Sequence, residues 1–251
     1  MINKTLYEEL TPKEFNDRIT SSPIAYLPLG TLEWHGEHLP LGSDGIQSQG
    51  FFKQLASKVG GVVLPTLFLG PDRMVVDNEH ELYGMDICYA KPGSYDYYES
   101  QKLPGSAYWV SDDGFKGILE VVLKQIARAG FKIVVAHGHG PSTLLFSKLK
   151  EEWKSKYGLM TFDCWGSEYD DEGLGLQSDH AAMNETSIVM ALRPDLVQMD
   201  NLSTNTDEYP VGIAGKDPRV YASSEIGNKI IELQVEHMST ILKNALESLK
   251  K

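Results

Sequence analysis

The chain has 251 residues, 41% of them hydrophobic, with 35 Asp and Glu against 23 Lys and Arg for a formal net charge of −12. That length and apolar content support one large α/β domain with a sizeable core, and the negative balance leaves no basic field to hold a nucleic-acid backbone. No stretch approaches a membrane span or the apolar core of a signal peptide, so a cytoplasmic protein is expected.

In chain order, Thr11-Pro12-Lys13-Glu14 carries the residues of a capping box with proline at the first helical position, and predicts a short helix. The apolar run Ile24-Ala25-Tyr26-Leu27-Pro28-Leu29 predicts a buried strand, which Gly30 lets the backbone leave. Glu33 and His35 follow. If residues 33 to 35 stay extended, the period of two turns both to one face. Asp44 returns after a loop rich in Gly and Pro. Glu, His and Asp converging on one spot are the oxygen and nitrogen donors that a hydrolytic Zn, Mn or Fe ion takes. A lone Glu-x-His is also ordinary surface polarity, and Asp44 has a second reading as the cap of a helix predicted over residues 45–58. Capping and ligation compete for one carboxylate oxygen but not for both.

Gly60-Gly61 breaks that helix and residues 62–69 read as the next strand; strand, helix, strand predicts a parallel sheet. Residues 71–104 show no period and hold Tyr83, Tyr89, Tyr95, Tyr97 and Tyr98, so a structureless lid or an oligomer contact is expected there. Helical spacing returns from Phe115 to Ile126 and closes at Ala129-Gly130. Phe131 to Ala136 is a short buried strand ending in His137-Gly138-His139-Gly140-Pro141-Ser142. Ligands in open α/β sheets gather at the carboxyl ends of strands, and glycines on either side of His139 let a ligand approach closely, although a solvent-facing turn histidine fits the same run. His137, ending the strand itself, is the weaker ligand. Pro141 predicts a helix over about residues 142–154, and a strand at 159–165 precedes a polar loop at 166–179.

His180 and Glu185 would lie about 140° apart on a continuous helix. Both serve one site only if the helix starts near Asn184, with Asn184 as its cap and His180 hanging from the preceding loop. A long amphipathic helix over about residues 222–249 ends the chain. The two cysteines, Cys88 and Cys164, stand in no Cys-x-x-Cys pattern and read as free thiols.

The stretches Gly30 to Asp44, Leu103-Pro104-Gly105-Ser106, Gly130 to Ser142, His180 to Ser187, Arg193-Pro194-Asp195-Leu196-Val197 and Gly215-Lys216-Asp217-Pro218-Arg219 resemble, in order, the landmarks of the creatininase (creatinine amidohydrolase) family. The first is close to the family's Glu-x-His-Gly-x-His-Leu-Pro-x-x-x-Asp. The resemblance implies a creatininase-like α/β fold, a mostly parallel sheet flanked by helices in a single domain over residues 1–251, often assembled as a homo-oligomer (a hexamer), with two divalent metal ions (Zn, Mn or Fe). Carried over by position, Glu33, Asp44 and His139 hold one metal, and His35 with the bridging Asp44 and a further carboxylate hold the other.

Creatininase supplies that carboxylate as a Glu two residues after the equivalent of His139, where this chain has Pro141. Glu185, in the family's His-x-x-x-x-Glu-Thr-Ser element, is the expected replacement. The family's Asn-Gly-His-Gly-Gly-Asn loop has His137 and Ser142 in place of both asparagines, and the tyrosine-rich segment before Leu103 is extended. The resemblance makes His180 the substrate-side histidine that moves a proton. It implies a hydrolase of a non-peptide C–N bond, acting on a small-molecule amide through a metal-bridging hydroxide. The alternatives are a deformylase, a peptidase that matures peptides, or a scaffold that binds a ligand without turnover.

Overall fold

Neighbouring residues of the first strand, Ile24–Leu29, are buried on opposite sides: Ile24 and Tyr26 in one apolar cluster, Ala25, Leu27 and Leu29 in another. A strand covered on both faces reads as an unbroken hydrophobic run and belongs inside a parallel sheet. The computed structural model describes residues 4–77, 79–87, 98–164 and 173–250. The elements are α1 (Pro12–Ser21), β1 (Ile24–Leu29), α2 (Ser43–Val59), β2 (Val62–Val63), β3 (Met74–Asp77), β4 (His80–Tyr83), α3 (Asp112–Arg128), β5 (Ile133–Gly138), α4 (Gly140–Lys148), α5 (Lys150–Tyr157), β6 (Met160–Asp163), α6 (Met183–Leu192), α7 (Pro218–Tyr221) and α8 (Ser224–Ser248).

Among the described residues, β2, β1, β5 and β6 form a parallel sheet in that order, with Ile24 opposite Ile133 and Leu29 opposite Gly138 in the central pair. On one face α2, α6 and α8 supply Phe51, Phe52, Ile188 and Ile230 to the core; on the other α3, α4 and α5 supply Phe115, Leu119, Phe146 and Trp153. Each of these side chains is fully removed from water, a gain of about 1.5–3 kcal/mol apiece before the loss of rotamer freedom. The mostly parallel sheet flanked by helices is thus present as expected. Among the described residues no helix is long and apolar enough to cross a membrane.

The capping box of α1 is present: Thr11 Oγ1 accepts from the Glu14 N–H while Glu14 Oε2 accepts from the Thr11 N–H. Four elements differ from the sequence reading. Helix α2 starts at Ser43, which puts Asp44 inside its first turn; the cap position falls to Gly42, with no side-chain capping bond. The strand expected over residues 62–69 is short because Pro65 has no N–H for the ladder, although Leu67 rejoins β1 through a bridge to Leu29. The single helix expected after Pro141 breaks at Leu149, where the Phe146 carbonyl accepts from both Leu149 N–H and Trp153 Nε1. Residues 71–104 are not structureless throughout, since β3 and β4 pair as an antiparallel hairpin. Cys88, Tyr89, Tyr95 and Tyr97 lie outside the described residues, and Cys164 is a free, buried thiol.

Candidate metal centre

The six side chains nominated from the sequence, Glu33, His35, Asp44, His139, His180 and Glu185, meet at the carboxyl end of the sheet. Glu33 and His35 stand in the loop leaving β1, Asp44 in the first turn of α2, His139 between β5 and α4, His180 in the loop before α6, and Glu185 in the first turn of α6. A carboxylate in a first helical turn also complements the helix dipole. The delivery of His139 depends on glycine. Gly138 has a φ of +136°, and a methyl in place of its hydrogen would stand 1.6 Å from the Leu29 carbonyl oxygen, the oxygen that accepts the His139 N–H at 2.9 Å.

Ligand atoms of Glu33, Asp44 and His139 lie within 4.8 Å of one another, as do those of His35, Asp44 and Glu185, so the two groups share Asp44. His35 Nδ1 donates to the Glu33 carbonyl at 3.0 Å. A carbonyl can only accept, so in the neutral ring this bond leaves the lone pair on Nε2. That buried atom has no hydrogen-bond partner and faces Asp44 Oδ1 at 3.4 Å and Glu185 Oε2 at 3.6 Å. Asp44 Oδ1 accepts from Gln177 Nε2 at 3.0 Å, while buried Asp44 Oδ2 is unpartnered.

A lone pair aimed at buried carboxylates is costly unless a proton or a cation stands between them. The titration behaviour reflects this crowding. Burial pushes Glu33 up to about 7 and Glu185 well above the usual carboxylate range. Burial opposes the charge on His35 and on Asp44, yet each is held charged by the other, His35 rising to about 10 and Asp44 falling well below its ordinary value. The described residues lining this cavity of about 190 Å³ include five carboxylates (Glu33, Asp44, Asp72, Asp179 and Glu185) and no Lys or Arg. The donor set fits divalent cations.

His180 Nε2 donates to the Trp34 carbonyl at 2.8 Å, which leaves Nδ1 as the acceptor. Burial, followed by the charge on His35, pushes its pKa down to about 3. Its ring centre lies 4.3 Å from that of His35. Paired backbone bonds to Ala214 hold the residue in place. Two other buried histidines serve the frame. His38 Nε2 donates to Thr186 Oγ1 at 2.8 Å, and His137 faces Phe51 and Phe52 from within β5.

The expectation that Asn184 caps α6 is corrected. The cap position is Ala182, and the Asp179 carboxylate accepts from the N–H groups of Asn184 at 2.7 Å and Glu185 at 3.1 Å. Asn184 instead fastens the preceding loop, its amide donating to the carbonyls of Gly173 and Gly175. His180 does hang from the loop ahead of the helix, so it and Glu185 reach one site. Three polar lining residues escaped the sequence reading: Asp72, Gln177 and Asp179. Asp179, an acid a few residues before a helix start, carried a capping signal; Gln177 and Asp72 lay in stretches without periodicity.

The creatininase family model, described as creatinine amidohydrolase, matches residues 8–242. The creatinine amidohydrolase of Pseudomonas putida is 24% identical over 272 residues, covering 94% of this chain and 95% of that protein. The mycofactocin precursor peptide peptidase of Mycolicibacterium smegmatis is 24% identical over 184 residues, 72% of this chain and 62% of that one. A crystal structure of creatininase superposes with a TM-score of 0.70 at 20% identity, covering 97% of this chain and 98% of that chain. Further creatininase structures, a Zn-Zn type and a Mn form, superpose at TM-scores of 0.69 and 0.68, each at 21% identity.

Proposed function

The chain belongs to the creatininase family, and from that premise we propose that it is a metal-dependent amidohydrolase opening a non-peptide C–N bond, a cyclic or linear amide of a small molecule. The observation that carries this reading is the pair of ligand groups meeting at Asp44. Glu33, Asp44 and His139 would hold one divalent ion, and His35, Asp44 and Glu185 the other, with Zn or Mn favoured by the metals named for the related creatininase structures. The ions, when bound, supply acidified water and polarise the scissile carbonyl.

The remaining work falls to the chain. Glu185 is held in place by the Ala181 N–H, which donates to Oε2 at 2.8 Å, and Gln177 holds Asp44. His180, anchored through Nε2, takes a proton at Nδ1 from the attacking water and returns it to the departing nitrogen.

A short peptide is the second substrate class, favoured by the likeness to the peptide peptidase. Metal analysis of the purified protein tests the proposal, followed by a screen of amides, lactams, formamides and short peptides for released amine. Two equivalents of metal, with turnover lost on chelation and restored on reloading, are expected. One equivalent or none, with no turnover, would instead identify a ligand-binding scaffold. The homo-hexamer implied by the family is part of the same proposal, read by light scattering.

A further inference from the structure

One buried carboxylate beside His139 has no role in the two ligand groups. We propose that Asp72 is an additional ligand of the cation held by Glu33, Asp44 and His139, an assignment that rests on the metal-dependent reading above. Asp72 Oδ2 lies 3.2 Å from His139 Nε2, with side chains only 5% and 3% exposed, and Glu33 Oε2 lies 3.8 Å from the same nitrogen. Two donors at about 2.0–2.1 Å from one ion, about 90–110° apart, are separated by about 2.8–3.4 Å. The Asp72–His139 distance is therefore an edge of a coordination shell as well as a hydrogen-bond length.

The surroundings of the ring separate these two readings. His139 Nδ1 lies 3.0 Å from Ser142 Oγ, so Nε2 is the nitrogen turned to the cavity. An N–H there could satisfy one carboxylate, whereas both Asp72 and Glu33 are aimed at it. The unpartnered, buried Asp44 Oδ2 points independently to something missing between these groups.

The backbone delivers Asp72 to this position. Its Oδ1 accepts from the Arg73 N–H at 2.6 Å, which frees Oδ2 for the cavity. The β3–β4 hairpin then returns the chain to Gly84, whose N–H donates to the Arg73 carbonyl at 3.0 Å. Gly84 has a φ of +52°, and a methyl there would stand 2.5 Å from Glu33 Oε1 and 2.7 Å from Asp72 Oδ2. Only glycine lets the base of the hairpin close on both carboxylates. The segment whose sequence showed no period thus supplies a ligand.

Metal-free wild-type and Asp72→Asn proteins, titrated with Zn²⁺ or Co²⁺ against a chromophoric chelator, test the assignment, with thermal unfolding run with and without metal. Asp72→Asn is expected to bind one equivalent with wild-type affinity and the other more than about 100-fold more weakly, beyond the loss of about 10–100-fold that follows a change in an outer partner. Without metal it should be no less stable than wild type, because one charge of a crowded carboxylate cluster has gone. Both equivalents bound at wild-type affinity would overturn the assignment. So would a metal-free variant that is destabilised while its metal affinities are unchanged, the signature of a simple ion pair with His139. Asp72→Ser repeats the comparison with a smaller side chain, and failure of both metal-free variants to fold would mark the carboxylate as structural. A wild-type protein that binds no divalent metal would sink the functional reading itself, a separate outcome.

Discussion

The two lobes of the centre are built by different means. The His35 ring is held by the carbonyl two residues back and Glu185 by the Ala181 N–H, while Asp44, which the two lobes share, is held by Gln177 from 133 residues away. Each stands in a strand-exit loop or a first helical turn packed on the core. The Glu33–His139 lobe differs in taking one support from outside the sheet and its helices. His139 reaches it through the Gly138 turn and Ser142, and Asp72 arrives at the foot of a hairpin whose β3 residues are all exposed. One lobe is therefore built wholly from loops and turns packed on the core, and the other also takes a side chain from a hairpin closing on it. Loops with few buried contacts open at lower free energy than core elements, so the Glu33–His139 ion should be the first to leave.

The largest effect is expected where the lobes join. Asp44→Asn should lose both equivalents of metal and cut amide hydrolysis by more than the roughly 10–100-fold typical of an outer-partner change. His35→Ala and His139→Ala should each keep the opposite equivalent. Metal analysis and turnover on the three variants check this, and an Asp44→Asn protein that retained both ions would dissolve the shared-carboxylate picture.

Next in size is Gly138→Ala. The added methyl would clash with the Leu29 carbonyl at 1.6 Å, in a backbone region that L side chains rarely adopt. The central β1–β5 pair must shift, and a loss of unfolding free energy on the order of 3 kcal/mol or more, read by denaturant unfolding, is expected. Because Gly138 delivers only His139, metal affinity in that lobe should fall further than affinity at His35. Equal loss at both would show that the lobes are not independent.

Much of this was legible in the chain. The central strands announced themselves because residues buried on both faces are apolar at every position, as in Ile24–Leu29 and Ile133–Ala136. Glu33, His35 and Asp44 were visible because ligand chemistry was compressed into one loop and the turn after it. What stayed hidden depended on contacts between distant segments. Asp72 is a carboxylate in an aperiodic stretch until a hairpin brings it to His139, 67 residues away. Asp179 displaced Asn184 as the cap because a folded-back loop let an acid further upstream reach the open N–H groups. Propensity ranks cap residues but does not record which of two competitors the loop will present.

The smallest predicted effect separates two neighbouring histidines. Along an unbroken strand, residues 137 and 139 would share a face. The Gly138 turn ends that alternation, so His137 stays in the core beside Phe51 and Phe52 while His139 enters the centre. Burial pushes the His137 pKa down to about 4 from an ordinary 6.5. The unfolded chain therefore takes up its proton first as the pH falls. The His137 contribution to stability is intact above about pH 6.5 and declines until the folded state protonates near pH 4, a loss of up to about 3 kcal/mol at about 1.4 kcal/mol per pH unit. In metal-free protein, denaturant unfolding of His137→Asn across this window should show a shallower decline than wild type, because asparagine has no proton to gain. Parallel curves would mean that His137 finds a proton acceptor in the core and that its burial carries no acid penalty.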